Sequence, residues 1–385
     1  MQKNKLKYQS FFFLALLMLV GCNNSDDTFM GLLYQLADVQ EEKREEMFQT
    51  WLNKKEKAPI IENNKVFFIY QNVKDVSVFV SGEMNSWKPD ADQMMRIIGT
   101  SYYYFEQSYP ADARVEYKFV VEGEYILDPL NEQTSAGGYG SNSLILMPEY
   151  KFPAEILVNR FQNYTRIDTF VFNSNILPGE RNVFIYSHPL ADNNSPIIIF
   201  NDGADYLNFG LTNTVLDNLI EKDKIPACHA FFVNPGNRMK EYWLNDDYHK
   251  LLFDELIPKL KQDYKFTSDN KIFVGGVSLG GLTAYHSLKK YSSQIDGVFG
   301  QSPSFWLDSL QIIDELRDVD LDDTKLFFDY GLFEEDSYDS TVIEFFKQKS
   351  KSFQFEKYNE GHAWGNWMGH LDSALIYLLT ERKGI

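Results

Sequence analysis

The hydrophobic period of this chain changes near residue 150, and that change constrains the fold more than any other feature. Between residues 63 and 148 apolar and polar residues alternate, as at Val76 and Val78, which is typical of half-buried strands. Beyond residue 150, short apolar runs alternate with segments of helical spacing, as in 197–200 followed by 211–220. Strands that alternate with helices predict a parallel sheet with helices on both faces.

The pattern divides the chain into four parts, and its 385 residues, 44% of them hydrophobic, suffice for two apolar cores. Residues 22–60 read as a polar tether and a helical lead, and the apolar spacing over 31–53 predicts that the helix packs on the body. The other parts are a signal peptide (1–21), an immunoglobulin-like β-sandwich (61–150) and an α/β domain (151–385). The predicted fold class is therefore α/β, with a small all-β sandwich in front.

The N-terminus carries the signals of export. Three lysines within the first seven residues precede a short apolar run at 11–20, which is typical of a secretory signal peptide and too short to span a bilayer. The run ends in Leu-Val-Gly-Cys at 19–22, which resembles a bacterial lipobox, in which the cysteine is lipidated and becomes N-terminal. We therefore expect a lipid anchor at Cys22 that holds the protein on the outer membrane, at its periplasmic or cell-surface face. The alternative is an uncleaved anchor in which Cys22 is incidental.

The composition excludes some partners. The formal net charge is −18, and such an acidic surface repels nucleic acid, so no nucleic-acid partner is predicted. Cys22 and Cys228 are the chain's two cysteines, and a lipidated Cys22 leaves Cys228 as a buried core residue without a disulfide partner. The sequence has no CxxC or HExxH motif and no clustered His/Asp spacing typical of metal ligands. Neither a metal nor a cofactor is therefore predicted.

The segment 276–280, Gly-Val-Ser-Leu-Gly, lies where a catalytic nucleophile is expected. It follows the strand-like residues 271–275 and precedes the helix-like residues 282–290, which is the context of a nucleophile elbow. Small residues are needed two positions before and after the serine, because the strand turns sharply into a helix there. Ser278 is therefore the predicted nucleophile, and the alternative is a structural glycine-rich turn.

Two late histidines are candidates for the base that a serine hydroxyl needs. In hydrolases with this elbow the base follows both the serine and the acid along the chain, and only His362 and His370 lie late enough. His362 lies in a loop with glycines on both sides, after the strand-like segment 353–358, whereas His370 falls within the pattern of the last helix. We therefore predict His362 as the base.

The acid is expected between the serine and the histidine, at the end of a strand. Residues 326–330 read as a strand, and the loop that follows contains Glu334, Glu335 and Asp336. Any of these three carboxylates could orient the imidazole of His362. The residues alone leave this choice open.

Several short segments of the predicted sandwich resemble a known family. Val-Ser-Gly-Glu-Met-Asn-Ser-Trp at 80–87, Tyr-Lys-Phe at 117–119 and Asp-Pro at 128–129 resemble the isoamylase or glycogen-binding N-terminal family over roughly residues 65–147. In its sugar-binding members two aromatic residues and a lysine hold the glycan. The matching positions here are Trp87, Tyr125 and Lys118. The alternative, which we favour, is that Trp87 caps the sandwich core and that the module is a spacer that shapes the active site.

Residues 155–385 resemble the putative-esterase family of α/β-hydrolases, which includes enterochelin esterases, feruloyl and acetylxylan esterases and S-formylglutathione hydrolases. The resemblance rests on Asn-Asp-Gly at 201–203, the elbow at Ser278, Gln-Ser-Pro at 301–303 and Gly-His at 361–362, among other stretches. With the sandwich in front, the order is most similar to enterochelin-esterase-like enzymes. The resemblance implies an α/β-hydrolase fold and a serine esterase.

The same resemblance implies roles for further residues. The family's acid lies three residues after a glycine, which here is Gly331, and this implies Glu334 rather than its two acidic neighbours. In the family the turn after the third strand donates one N–H group to the oxyanion. The implied donors in this chain are the backbone N–H groups of Ala204 and Leu279.

Aromatic side chains and one arginine are predicted to surround the substrate. Trp243, Trp306, Trp364 and Trp367 fall on loops at the predicted active edge, where their rings could hold an aryl or sugar group. The alternative is that two or more of these rings plug the core. Arg238 is a candidate for substrate binding, and we expect it to pair with Glu241 and brace the loop after the fourth strand.

The function predicted from these features is that of an exported serine esterase whose partner is a small-molecule or polysaccharide ester. Acyl or feruloyl esters of carbohydrates are favoured, because a strongly acidic protein does not steer an anionic iron–siderophore complex. One alternative is an esterase of enterochelin-type siderophore trilactones. The other is a glycan-binding lipoprotein whose hydrolase domain is inactive.

Overall fold

The computed structural model describes residues 27–55, 57–158, 165–334 and 340–381. The predicted signal peptide, the lipidation candidate Cys22, and the acids Glu335 and Asp336 lie outside these residues. Within the described part, no helix is both long enough and apolar enough to cross a membrane.

Two short helices form the lead in front of the sandwich, where the spacing predicted one. Helices α1 (Phe29–Asp38) and α2 (Glu41–Leu52) are separated at Val39, whose backbone is extended. The Gly31 N–H donates to Thr28 Oγ1 at 3.1 Å and so caps α1. Both helices pack on the sandwich through one apolar cluster. This cluster contains Phe29, Leu32, Leu36, Phe48, Trp51, Ile60, Phe67, Ile69, Ile97 and Tyr102.

Ten antiparallel strands follow the lead and form two sheets. They are β1 (Ile60–Glu62), β2 (Lys65–Gln71), β3 (Val78–Gly82), β4 (Asp92–Gln93), β5 (Met95–Arg96), β6 (Tyr102–Ser108), β7 (Arg114–Val121), β8 (Glu124–Ile126), β9 (Thr134–Gly137) and β10 (Gly140–Leu146). One sheet has the order β1-β2-β6-β5, and the other has the order β4-β3-β7-β10-β9 with β8 paired to β7. Apolar residues of both sheets, such as Phe68 of β2 and Val80 of β3, share one core. The period-two pattern thus forms a sandwich, called the front sandwich below.

The rest of the chain builds one eight-stranded sheet. Its strands are β11 (Ile167–Asn173), β12 (Glu180–Ser187), β13 (Ile197–Asn201), β14 (His229–Val233), β15 (Ile272–Val277), β16 (Gly297–Gln301), β17 (Lys325–Gly331) and β18 (Phe353–Tyr358). The order is β11-β12-β14-β13-β15-β16-β17-β18. The last six strands in this order run parallel, and β12 runs antiparallel to both of its neighbours. This is the mostly parallel sheet of an α/β-hydrolase, as predicted.

Helices cover both faces of this sheet. They are α3 (Gly203–Asn208), α4 (Thr212–Glu221), α5 (Arg238–Tyr242), α6 (Asp246–Lys250), α7 (Ile257–Tyr264), α8 (Leu279–His286), α9 (Leu288–Tyr291), α10 (Gln311–Leu316), α11 (Ser340–Lys349) and α12 (Trp364–Leu379). Along β13, Ile197 and Ile199 join one apolar core, whereas Ile198 and Phe200 join the other. Helices α7, α8 and α10 pack into the first core, and α4 and α12 pack into the second. The predicted helices on both faces are therefore confirmed.

Cys228 is a core residue, as predicted. Its side chain is fully buried in the second core, directly before β14. Burial raises the pKa of its thiol well above the usual range, so the reactive thiolate is suppressed.

The parallel strands deliver the predicted triad residues and Asp202 to one edge of the sheet. Asp202 follows β13, Ser278 follows β15, Glu334 follows β17 and His362 follows β18. Because the carboxyl ends of parallel strands lie at the same edge, residues far apart in sequence meet there.

Candidate active site

Ser278 lies on a sharp turn between β15 and α8. Its backbone has φ 55° and ψ −121°, a conformation that non-glycine residues rarely adopt. A Cβ atom at Gly276 would lie 2.4 Å from the backbone of Gly280, and one at Gly280 would lie 2.7 Å from Asp202 Oδ2. The turn therefore has no room for side chains at these two positions, which explains the glycine spacing of the motif.

The three residues predicted as a triad form a chain of hydrogen bonds. His362 Nε2 lies 3.0 Å from Ser278 Oγ, and His362 Nδ1 lies 2.9 Å from Glu334 Oε2. The Glu334 carboxylate is fully buried, whereas 41% of the His362 side chain is exposed. In this arrangement the imidazole can take the proton of the serine while the carboxylate holds its tautomer.

Neighbouring groups hold Glu334 in place. Its Oε1 atom accepts hydrogen bonds from the Gly331 N–H at 2.8 Å and from Ser302 Oγ at 2.5 Å. Ser302 Oγ in turn accepts a hydrogen bond from Trp367 Nε1 at 2.9 Å. The sequence did not single out Ser302 for this role. The only signal was its place directly after a buried strand, at the same edge as Ser278.

Asp329 is a second buried acid beside Glu334. Burial and the charge of Glu334 raise the pKa of Asp329 well above its usual range. The Ser302 N–H lies 3.3 Å from Asp329 Oδ1. The shift favours the protonated form of Asp329, and Glu334 is the carboxyl that contacts the His362 imidazole.

The two predicted oxyanion donors, Leu279 and Ala204, differ in whether their N–H groups already have a partner. The Leu279 N–H opens α8 directly after Ser278, where a helix leaves its first N–H groups without partners inside the helix. The Ala204 N–H instead donates to Asn234 Oδ1 at 2.8 Å. This proton is not free for an oxyanion, so the prediction for Ala204 is corrected. Asn234 follows a different strand, and nothing in the local sequence around Ala204 indicated the contact.

The predicted pair of Arg238 and Glu241 is wrong. Arg238 donates from Nε to Asp202 Oδ1 at 2.8 Å and from Nη2 to Asp202 Oδ2 at 2.7 Å. Glu241 accepts a hydrogen bond from Arg181 Nη2 at 2.6 Å. Burial raises the pKa of Asp202, and the two bonds to Arg238 oppose that shift. Arg238 therefore holds the turn after β13, and its half-exposed side chain also reaches the cavity described next.

A cavity of about 710 Å³ opens above Ser278, between the hydrolase sheet and the front sandwich. The hydrolase side contributes Asp202, Asp205, Arg238, Val277, Ser278, His362, Ala363, Trp364 and Trp367. The sandwich side contributes Trp87, Glu116, Lys118, Tyr125, Gly137, Gly138, Tyr139, Gly140 and Asn142. Half of the wall therefore comes from the front sandwich.

The three positions predicted to hold a glycan all line this cavity. Trp87, Lys118 and Tyr125 stand across from the nucleophile, and the Tyr125 hydroxyl donates to the Trp87 carbonyl at 2.9 Å. Trp87 is half-buried and lies outside the apolar core of the sandwich. The expectation that Trp87 caps that core is therefore corrected, because the ring faces the cavity instead.

The predicted tryptophans separate into two groups. Trp364 and Trp367 line the cavity although both are largely buried, and the Trp367 ring meets the His362 ring edge-on at 5.0 Å. These two rings are thus packed in the core and also line the cavity. Trp243 and Trp306 are exposed and do not line the cavity, and the part of Trp306 in substrate binding stays a prediction.

Among the described residues, one group has side chains of the kind that bind metals. Asp246 and His249 of α6 and His286 of α8 offer ligand atoms within 4.8 Å of one another, and none of them lines the cavity. Lys290 Nζ lies 2.7 Å from Asp246 Oδ2, and Lys289 Nζ lies 3.6 Å from Asp246 Oδ1. Ammonium groups therefore already neutralise this carboxylate. The sequence did not reveal the group because His286 comes from a different helix.

Comparisons with known proteins agree with this architecture. A family model described as "Putative esterase" matches residues 174–378, just over half of the chain. Ferric enterobactin esterase from Salmonella typhimurium is similar in structure, with a TM-score of 0.73 and 20% identity over 86% of this chain and 98% of that one. Enterobactin esterase from Shigella flexneri, solved in the presence of enterobactin, has a TM-score of 0.69 and 20% identity over 86% and 97%. At this identity the likeness shows the fold. None of the curated proteins matches the chain in sequence.

Proposed function

Because the chain belongs to the putative-esterase family of α/β-hydrolases and is an ester hydrolase, we propose that it works through Ser278, His362 and Glu334. The observation that carries this proposal is the continuous hydrogen-bonded chain from Ser278 Oγ through the His362 imidazole to Glu334. Such a chain activates a hydroxyl that is otherwise a poor nucleophile.

The proposed mechanism proceeds through an acyl-enzyme. Ser278 Oγ attacks the ester carbonyl while His362 Nε2 accepts its proton, and Glu334 stabilises the resulting imidazolium. The Leu279 N–H stabilises the oxyanion, and one such donor contributes roughly 3–4 kcal/mol in comparable enzymes. His362 then protonates the leaving alcohol, and water attacks the acyl-enzyme with His362 again as the base.

The preferred substrate in this proposal is an acyl or feruloyl ester of a carbohydrate. The cavity wall opposite Ser278 carries the rings of Trp87, Tyr125 and Tyr139 beside the Lys118 ammonium. Flat rings stack on sugars or aryl groups, and an ammonium can donate hydrogen bonds to hydroxyl groups. A substrate that spans the cavity would place its ester at Ser278 and its alcohol or acyl group on the sandwich.

A second candidate substrate is a siderophore trilactone. The similar structures are enterobactin esterases, and they match this chain over 86% of its length, front sandwich included. The Lys118 ammonium would attract the anionic catecholates of such a ligand. The same aromatic wall could receive the catechol rings.

The location proposed for the enzyme is the outer membrane, with a lipid anchor at Cys22. The support is the Leu-Val-Gly-Cys segment at 19–22 after a charged and then apolar N-terminus. In cells that express the protein, labelled fatty acid should be incorporated, and Cys22→Ala should abolish this incorporation. Equal labelling of the variant would contradict the anchor.

The enzymatic proposal is tested with a fluorophosphonate probe and a substrate panel. The wild-type protein should be labelled and Ser278→Ala should not, with Ser309→Ala as an exposed serine control outside the site. The panel comprises p-nitrophenyl acetate, methyl ferulate, acetylated xylan and an enterobactin-type trilactone. Fastest turnover of the trilactone would select the second substrate. Absence of labelling and of all hydrolysis would favour the inactive glycan-binding protein.

A further inference from the structure

The loop that carries His362 is in contact with the front sandwich. This segment, residues 359–363, is called the histidine loop here. The backbone N–H of Arg114 donates to the Asn359 carbonyl at 3.0 Å. A Cβ atom at Gly361 would lie 2.4 Å from Glu83 Cδ, and one at Gly365 would lie 1.9 Å from Arg114 Cζ. Two sandwich side chains therefore touch the backbone on both sides of His362.

These contacts belong to a buried cluster of charged side chains. Arg114 Nη2 donates to Glu116 Oε1 at 2.8 Å and to Ser135 Oγ at 2.7 Å. Glu83 Oε2 accepts a hydrogen bond from the Glu116 N–H at 2.8 Å. From the hydrolase side, Glu360 Oε2 lies 4.0 Å from Arg114 Nη1. Each of the four charged residues is at most 3% exposed.

One guanidinium in this cluster faces three carboxyl groups. Burial, and then the charge of Glu116, raise the pKa of Glu83 well above its usual range, which favours its protonated form. Arg114 is hydrogen-bonded to Glu116, whereas Glu360 lies near it at 4.0 Å. Removing one partner of a buried ion pair is strongly destabilising because the other charge is left uncompensated. Disrupting the cluster is therefore costly, and the histidine loop is part of it.

The hydrolase domain also holds the same loop, and His370 Nε2 lies 2.8 Å from Glu360 Oε1. Asn366 Nδ2 donates to the Gly361 carbonyl at 2.9 Å, and the Phe333 N–H donates to the Glu360 carbonyl at 3.1 Å. Glycines at 361 and 365 bracket His362, and glycine is the most flexible residue in an unsupported backbone. Residues of the hydrolase domain thus hold the loop on one side, and Glu83 and Arg114 hold it on the other.

We propose that Glu83 and Arg114 of the front sandwich are positioning residues that hold His362 at hydrogen-bond distance from Ser278. The front sandwich is then a part of the catalytic apparatus as well as one wall of the substrate cavity. This inference rests on the proposed function, since it requires His362 to be the base. The cluster also reaches the substrate cavity, because Glu116 Oε2 accepts a hydrogen bond from Asn142 Nδ2 at 2.7 Å and both residues line it.

The test compares variants of Glu83 in the full-length enzyme with p-nitrophenyl acetate as the substrate. Glu83→Ala removes the group that packs on Gly361, and kcat should fall about 10- to 100-fold, since misplacement of a catalytic group by 1 Å can cost about 100-fold. The KM of this small ester should change by less than about twofold, because it is too short to reach the sandwich wall. Glu83→Gln keeps the size and shape of the side chain and should restore most of kcat.

A matched control separates positioning from simple loss of stability. Asp128 is another buried carboxyl of the front sandwich, bonded to the Tyr117 hydroxyl at 2.6 Å and without a contact to the histidine loop. Asp128→Ala should lower the melting temperature and leave kcat within about twofold of the wild type. If Glu83→Ala does not fold, Glu83→Asp withdraws the carboxyl by one carbon and should lower kcat to an intermediate value.

A spectroscopic measurement reads the position of His362 directly. The proton on His362 Nδ1 that is shared with Glu334 should give a downfield ¹H resonance, which should shift or broaden in Glu83→Ala and persist in Asp128→Ala. Wild-type kcat and an unchanged resonance in folded Glu83→Ala would overturn the inference. The proposed function fails separately, if Ser278→Ala retains full hydrolysis.

Discussion

Contacts with neighbouring groups set the position of the Glu334 carboxylate, and its place in the sequence does not distinguish it from the two acids that follow. Three acids follow one another in this loop, and their chemistry is the same. Glu334 alone among the described residues of the loop reaches His362, because the Gly331 N–H and the Ser302 hydroxyl draw its other oxygen inward. A buried carboxylate that accepts several hydrogen bonds is held in one orientation, which is what an imidazole partner requires.

At the same scale, we predict that Ser278 and His362 act as one unit. Ser278→Ala or His362→Ala should lower kcat by roughly 10⁴-fold or more, and the double variant should be little worse than either single one, because each removes the same step. Steady-state kinetics of the three purified variants test this. Losses that multiply in the double variant would mean that the two residues work independently.

A second prediction at the residue scale concerns the acid and its support. Glu334→Gln should lower kcat strongly, since the amide cannot stabilise the imidazolium, whereas Glu335→Gln should have little effect. Ser302→Ala should cause a smaller loss, because it removes one of the donors to Glu334. All variants are compared by kcat with circular dichroism as the folding control. An inactive Glu335→Gln beside an active Glu334→Gln would move the acid to the neighbouring position.

At the scale of elements, the turn from β15 into α8 depends on close approach of backbones. Beyond the two glycines of the motif, Gly275 in β15 leaves space for the ring of Phe299 in β16, because a Cβ atom there would lie 1.8 Å from that ring. The strand that carries the nucleophile is thus packed against its neighbour without any spare volume. Such a site tolerates no added methyl group unless the neighbour shrinks.

This packing predicts a compensating pair of substitutions. Gly275→Ala should lower the free energy of unfolding by about 1–3 kcal/mol or more, since overpacking forces neighbouring side chains out of place. Phe299→Leu also destabilises, but the double variant should be more stable than the sum of the single effects predicts. Urea unfolding of the four proteins measures the coupling. Strict additivity would show that Gly275 is not restricted by Phe299.

At the scale of the whole molecule, the site is a cavity between two domains. The hydrolase sheet provides the nucleophile, and the front sandwich provides the opposite wall with Trp87, Lys118 and Tyr125. A small ester contacts only the first part, whereas a large substrate contacts both. The length of the substrate should therefore decide how strongly activity depends on the sandwich wall.

This division predicts the effect of changes in the wall. Trp87→Ala combined with Lys118→Ala should raise the KM of a large substrate at least about 10-fold, by loss of stacking and of one cation. The effect on p-nitrophenyl acetate should be much smaller. Stability should change little, because Trp87 lies outside the sandwich core. A loss of about 3–5 kcal/mol, as expected for a packed indole, would instead assign Trp87 to that core.

The stability of the whole molecule should also depend on pH through Asp128. Burial raises the pKa of Asp128 from 3.8 to about 6, and its hydrogen bonds from Tyr117 and Leu130 only partly oppose this. The folded state therefore binds more protons than the unfolded state between about pH 4 and pH 6, and stability falls as the pH rises through this window. The contribution is up to about 3 kcal/mol at 1.36 kcal/mol for each pKa unit.

The measurement is the unfolding free energy of the wild type minus that of Asp128→Asn at several pH values. This difference should decrease from pH 4 to pH 6 and stay constant above pH 7, because the amide does not titrate. A difference that is independent of pH would show that the Asp128 carboxyl has an ordinary pKa in the folded protein.

The sequence predicted the fold because its evidence is local. Periodicity, glycine spacing and the order of strands and helices are properties of neighbouring residues, and they were sufficient for the sheet, the two helical layers and the elbow at Ser278. They also selected His362, since few histidines lie late in the chain. The two-helix lead was missed because an apolar spacing can continue across a short break such as Val39.

Only the tertiary structure decided the contacts between residues that are far apart in the sequence. Ala204 meets Asn234, Arg238 meets Asp202 rather than Glu241, and neither pair shares a local pattern. The cavity wall and the cluster around Arg114 likewise form only when the front sandwich closes on the hydrolase sheet. The sequence by itself thus determined which elements form and which groups can react. Their partners depended on how the finished elements pack, because hydrogen bonds and ion pairs form wherever packing brings donors and acceptors together.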